Sequence, residues 1–145
     1  MGNIAFNVSK GRSAYYASLP AANDALVMVV LEAANLESDE LLKDYPTLAT
    51  LLLGGSVEHS AMARQVLGNV TVTVDNENDR VALDADDVTW NAVSGTPVGA
   101  AIICYDPDTT TGTDADLVPL SKHDFTVTPD GENITLQIAD FLRVT

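Results

Sequence analysis

The chain changes its hydrophobic period part-way along, from runs and helical spacings to strict alternation. Residues 25–31 form an unbroken apolar run, Ala-Leu-Val-Met-Val-Val-Leu, bounded by Asn23-Asp24 and closed by Glu32. A short run so rich in β-branched residues reads as a strand buried on both faces. Between residues 38 and 67 the spacing turns helical. Ser38 stands where it can cap a short helix, with Asp39 and Glu40 in the first turn to complement the helix dipole and Leu41, Leu42 and Tyr45 as its apolar side. Pro46 interrupts. A second segment, 47–53, is stopped by Gly54-Gly55, and Ser56 opens a third helix through His59, Met62, Ala63, Val66 and Leu67 that ends at Gly68.

From residue 70 the period is two. Val70, Val72 and Val74 alternate with Thr71 and Thr73, the acidic stretch 75–79 turns the chain, and Val81 and Leu83 resume the alternation. Val88 and Trp90 share one face, which makes Trp90 a core residue, and residues 100–105 and 117–120 supply further strands. The clearest hairpin signal pairs 125–128 with 134–138 across Pro129-Asp130-Gly131. The expected fold class is α+β, mainly an antiparallel β sandwich or open barrel, with short helices in the region 38–67. Residues 1–19 have weak periodicity and gather Lys10 and Arg12 beside Phe6, Tyr15 and Tyr16. They read as an N-terminal arm attached to a single domain, 20–145, and those five side chains as a partner-binding surface.

A length of 145 residues suits one domain. Seven Lys and Arg stand against 21 Asp and Glu, a formal charge of -14. That balance lacks the basic footprint of phosphate binding, so nucleic acid is not expected as a direct partner. The charge lies mostly in the alternating half: -3 before residue 75 and -11 from there on. Acids at turns and strand ends describe a solvated surface that discourages edge pairing. The one cysteine, Cys104, rules out an intrachain disulfide framework. The longest apolar run is too short for a membrane helix, and no export signal is recognisable at the start of the sequence.

Candidate chemistry is sparse. Asp75, Glu77 and Asp79 alternate as in a calcium loop, but Arg80 occupies the position of the turn glycine and Asp86 that of the bidentate glutamate. The loop 106–116 is rich in oxygen ligands without a recognisable spacing. Only His59 and His123 could serve a nucleophile as imidazole bases, the sequence after Gly54 lacks the closing glycine of a nucleophile elbow, and Cys104 sits within an apolar strand. The expectation is no enzyme, no catalytic residue, no metal and no cofactor.

Three stretches carry a resemblance. Asp44-Tyr45-Pro46-Thr47-Leu48-Ala49-Thr50-Leu51-Leu52 comes first, followed by Ala63-Arg64-Gln65-Val66-Leu67. The third combines Asn78-Asp79-Arg80-Val81, Asp86-Asp87-Val88-Thr89-Trp90 and Cys104-Tyr105-Asp106-Pro107-Asp108. Together they resemble minor capsid or head decoration proteins of tailed bacteriophages, especially those of actinobacteria. The resemblance implies a virion structural protein, made in the bacterial cytoplasm and carried on the capsid exterior, whose partner is the major capsid protein. Cyclic association, with a homotrimer preferred, is the symmetry expected of such a component. The alternatives are a tail or head–tail connector protein of the virion, or a calcium-assisted adhesion module. On these expectations, removing residues 2–16 abolishes incorporation and spares the fold.

Overall fold

The computed structural model describes residues 2–145. Its backbone is a five-stranded antiparallel sheet in the order β1-β8-β7-β2-β3. The central strands are β2 (Ala25–Glu32), β7 (Val98–Asp106) and β8 (Val118–Val127), with β1 (Ile4–Ala5) and β3 (Gln65–Val66) at the edges. The apolar run at 25–31 is the buried strand that its composition implies. Period two divides its side chains between two cores. Leu26, Met28 and Val30 point inward, together with Ala101 and Ile103 of β7, while Val27, Val29 and Leu31 point outward with Ile102 and Cys104.

The inner core is closed by two smaller sheets. One is β10-β5-β4, made of β4 (Thr71–Asp75), β5 (Arg80–Asp84) and β10 (Leu142–Val144); the other pairs β6 (Val88–Trp90) with β9 (Ile134–Leu136). Leu83, Val88, Trp90, Ile134 and Leu136 pack from these sheets onto the large one, joined by Phe141 just before β10. Trp90 is buried and its indole N–H donates to the Ala63 carbonyl at 2.8 Å, which satisfies the only polar atom the ring brings into the core. The outer core is covered by α2 (Asp39–Leu42) and α3 (Leu48–Gly54), which contribute Leu42, Leu48 and Leu51. Thr47 begins α3 with a reciprocal capping box to Thr50, and Gly55, at φ 133°, ends it in a conformation that side-chain-bearing residues resist. The fold is thus α+β, a β sandwich with short helices on one outer face.

Three sequence expectations need correction. Residues 56–64 are not helical. The segment runs beside β2, with Glu32 N–H donating to Val57 and His59 N–H to Val30, both at 2.8 Å, and a Leu31–Glu58 bridge before β3. Of the apolar residues in the supposed helical stripe only Met62 and Leu67 are buried; the open edge of β2 takes the chain as a strand because tertiary pairing outweighs a weak local spacing. Second, the segments expected at 117–120 and 125–128 merge, but for their outermost residues 117 and 128, into one strand, β8, which pairs with β7 and β1, while β9 pairs with β6. The Pro129-Asp130-Gly131 corner connects strands of different sheets, so the hairpin is absent.

Third, the first nineteen residues do not stand off as an arm. Ile4 and Ala5 pair with Lys122 and Ser121 of β8, and Phe6 is completely buried in the outer core. The helix α1 (Ser13–Ala17) then packs Ala17 into the inner core, and Tyr16 stacks on Tyr105 with ring centroids 4.7 Å apart. Residues 2–19 are therefore part of the domain.

Candidate functional site

Side chains capable of chemistry are almost all engaged in holding the fold. His59 is buried; its Nδ1 accepts from the Ala61 and Met62 backbone N–H groups at 3.2 and 3.0 Å, which places the ring proton on Nε2, facing the Thr96 carbonyl at 3.0 Å. It is a turn clamp. Cys104 is completely buried, and desolvation pushes its thiol far above the ordinary value, away from the thiolate a nucleophile needs. His123 Nε2 lies 2.9 Å from Ser121 Oγ, the contact of a serine–imidazole pair. Ser121 is only 1 % exposed, however, and among the described residues no carboxylate bonds Nδ1. A shielded hydroxyl beside an unoriented base is not a nucleophilic site.

The acidic loops are also self-contained. Asp75 accepts from the Glu77 and Asn78 N–H groups, the Asn78 amide and Arg80 Nε, which together hold its carboxyl below the usual range, the Asn78 amide most of all. Asp108 is held down in the same way by Thr110 and then Thr111. These are turn-forming contacts. No group of three or more His, Cys, Asp or Glu among the described residues is arranged to hold a metal ion, and no helix is long and apolar enough to cross a membrane.

The cations give the informative contrast. Lys122 is fully buried, and its three ammonium protons meet the Gly2 carbonyl at 2.8 Å, Asp39 Oδ1 at 2.7 Å and Asp124 Oδ1 at 2.6 Å. Gly2 N–H donates to the other Asp39 oxygen, so β8, α2 and the start of the chain are clasped at one point. Arg64 forks between Glu58 and Asp114 at 2.7 Å each, tying the irregular segment before β3 to the loop before β8. Lys43, Arg80 and Arg143 pair with Glu40, Asp75 and Asp140. Five of the seven cations are thus neutralised internally, and the two without a carboxylate partner among the described residues are Lys10 and Arg12.

Both are exposed on the turn that leads into α1, and Tyr15, 61 % exposed, stands one helical turn beyond Arg12. Lys10 Nζ touches only the neutral Asn7 amide oxygen, at 2.7 Å. Of the five residues that the sequence marks as a contact surface, Lys10, Arg12 and Tyr15 face solvent together. Phe6 and Tyr16 do not: the first is buried and the second half-buried against Tyr105. Their apolar character serves the cores.

A further feature lies outside that reading. Residues 65–74, which pass from β3 at the edge of the large sheet to β4 at the edge of the three-stranded sheet, contain no charged residue. In β4 every residue from Thr71 to Val74 is exposed. The signal was present in the sequence as ten uncharged residues within a chain of charge -14, but edge position is not visible without the sheet order. Comparison with protein-family models, curated proteins and solved structures finds no match.

Proposed function

We propose that the protein is a structural component of a phage virion that decorates the head by binding the major capsid protein. The observation that carries this reading is the solvent-facing trio Lys10, Arg12 and Tyr15 on a molecule whose other cations are consumed internally. Two free cations beside an exposed aromatic on an otherwise acidic surface suit a docking point for an acidic patch on a partner, since aromatic and arginine side chains dominate interface energetics. The resemblance of three stretches to head decoration proteins supplies the identity of that partner. A lattice presents the same acidic patch many times, so a modest single contact is sufficient when copies engage neighbouring sites.

The test is binding to heads that lack the protein. Wild-type chain should co-sediment with such heads, and the double variant Lys10→Glu, Arg12→Glu should bind at least about tenfold more weakly, the equivalent of about 1.4 kcal/mol. Both side chains are exposed, so the variant keeps its fold. Failure of the wild-type chain to bind, or equal binding by the variant, would overturn the assignment. Deleting residues 2–16 is unsuitable for this purpose, because it removes buried Phe6 and the Gly2 carbonyl that Lys122 requires.

A further inference from the structure

The bare edge of β4 has a specific shape. Val72 and Val74 pair with Leu83 and Val81 of β5 and so lie on the face that carries Leu83 into the inner core, yet they are 38 % and 66 % exposed. They continue the apolar face of the three-stranded sheet past the point where the sandwich covers it. The strand also lacks the devices that protect natural edges: no lysine, no proline and no inward-pointing charge interrupts Thr71–Val74. Among the described residues β4 has one neighbouring strand, β5.

We infer that this edge is occupied by the same edge of a second copy, β4 running antiparallel to β4 about a two-fold axis at Thr73. The segment Thr71-Val72-Thr73-Val74-Asp75 complements itself in that register. Thr73 faces its counterpart, each Val72 faces a Val74, and each Thr71 faces an Asp75. An axis perpendicular to the sheet keeps both strands' valines on one face, so four uncovered valines become a continuous stripe and the sheet grows to six strands. The single charge in the register, Asp75, already has Arg80 Nε at 3.0 Å.

The register singles out a second copy as the occupant, because each valine that β4 leaves exposed meets a valine across the axis. Two molecules of charge -14 repel, and residues 71–74 let the two strands meet with no charged side chain between them. Pairing is isologous and closes at two copies, in place of the three-fold symmetry that the resemblance led one to expect. It also predicts an unusual salt response: screening removes the mutual repulsion while leaving the uncharged contact, so association strengthens as ionic strength rises.

The experiment is sedimentation of the purified chain together with two cysteine variants. Wild type should be a dimer, tighter at high salt than at low salt, and Val74→Lys should weaken it about tenfold or more while circular dichroism, and the thermal midpoint at concentrations where both chains are monomeric, stay unchanged. Thr73→Cys should form an intermolecular disulfide on oxidation, since directly opposed residues sit about 4.5–5.5 Å apart at Cα. Thr71→Cys should not, because its counterpart lies roughly 13 Å along the strand. Buried Cys104 does not interfere. A monomer at every concentration reached, a dimer indifferent to Val74→Lys, or equal cross-linking at positions 71 and 73 would overturn the inference. The dimer is independent of any virus head, so its failure leaves the capsid-binding reading standing, and the reverse also holds.

Discussion

Lys122 is the fully buried cation that joins β8, α2 and the start of the chain. Lys122→Met removes the buried charge and leaves the Gly2 carbonyl, Asp39 and Asp124 without their shared donor; because the two carboxylates keep 23 % and 37 % of their side-chain surface in solvent, the cost should be about 1–3 kcal/mol. Urea unfolding checks this, and a midpoint within error of wild type would contradict it. The same cluster sets an acid limit. Burial works against ionisation of Asp39, but the hydrogen bonds from Lys122 and Gly2 N–H more than offset it and hold the carboxyl below its ordinary 3.8; Arg64 does the same for Asp114. Groups with depressed folded values stabilise fully above the unfolded value and lose that contribution as pH falls through the folded one. His123 is held below 6.5 by burial and then by neighbouring Lys122, so on acidification the unfolded chain takes up that proton first. Stability should therefore decline gently as pH drops below about 6.5 and steeply below about 4. His123→Gln should flatten the upper stage in a series of melts against pH; a protein most stable near pH 5 would contradict the assignment.

At the scale of elements, local chemistry decides some boundaries and tertiary pairing decides others. The α3 capping box is local: Thr47→Ala should cost about 1 kcal/mol, and a thermal midpoint unchanged from wild type would contradict that role. The strands β2, β4, β5 and β7 and the short helices α2 and α3 are legible in the sequence because their periods and stop residues agree with where they end up. The segment around His59 is not, since Met62, Ala63, Val66 and Leu67 fit a helical stripe as well as a strand, and what selects the strand is the unpaired edge of β2, some thirty residues away. Phe125 to Ile138 misleads for a related reason: turn residues specify a corner but not which strand follows it into which sheet. The candidate contact surface is half legible. Cations and aromatics identify the segment, but burial, which separates Lys10, Arg12 and Tyr15 from Phe6 and Tyr16, depends on a sheet whose strands come from across the chain.

At the scale of the whole molecule, the division of labour is between a self-satisfied interior and two surfaces left open, one basic and aromatic at the entry to α1, the other apolar and uncharged along β4. Its histidines and five of its seven cations bond within the fold and its cysteine is buried, so the proposed decoration role rests on the two surfaces that remain. The most direct test of the proposed role is the number of copies of this chain relative to the major capsid protein, by quantitative gel or mass spectrometry, in purified phage particles from the source of the sequence. Decoration predicts copies in fixed proportion to capsid subunits, falling sharply in particles made with Lys10→Glu, Arg12→Glu. A handful of copies per particle would place the protein in a connector or tail instead, and none at all would contradict the account.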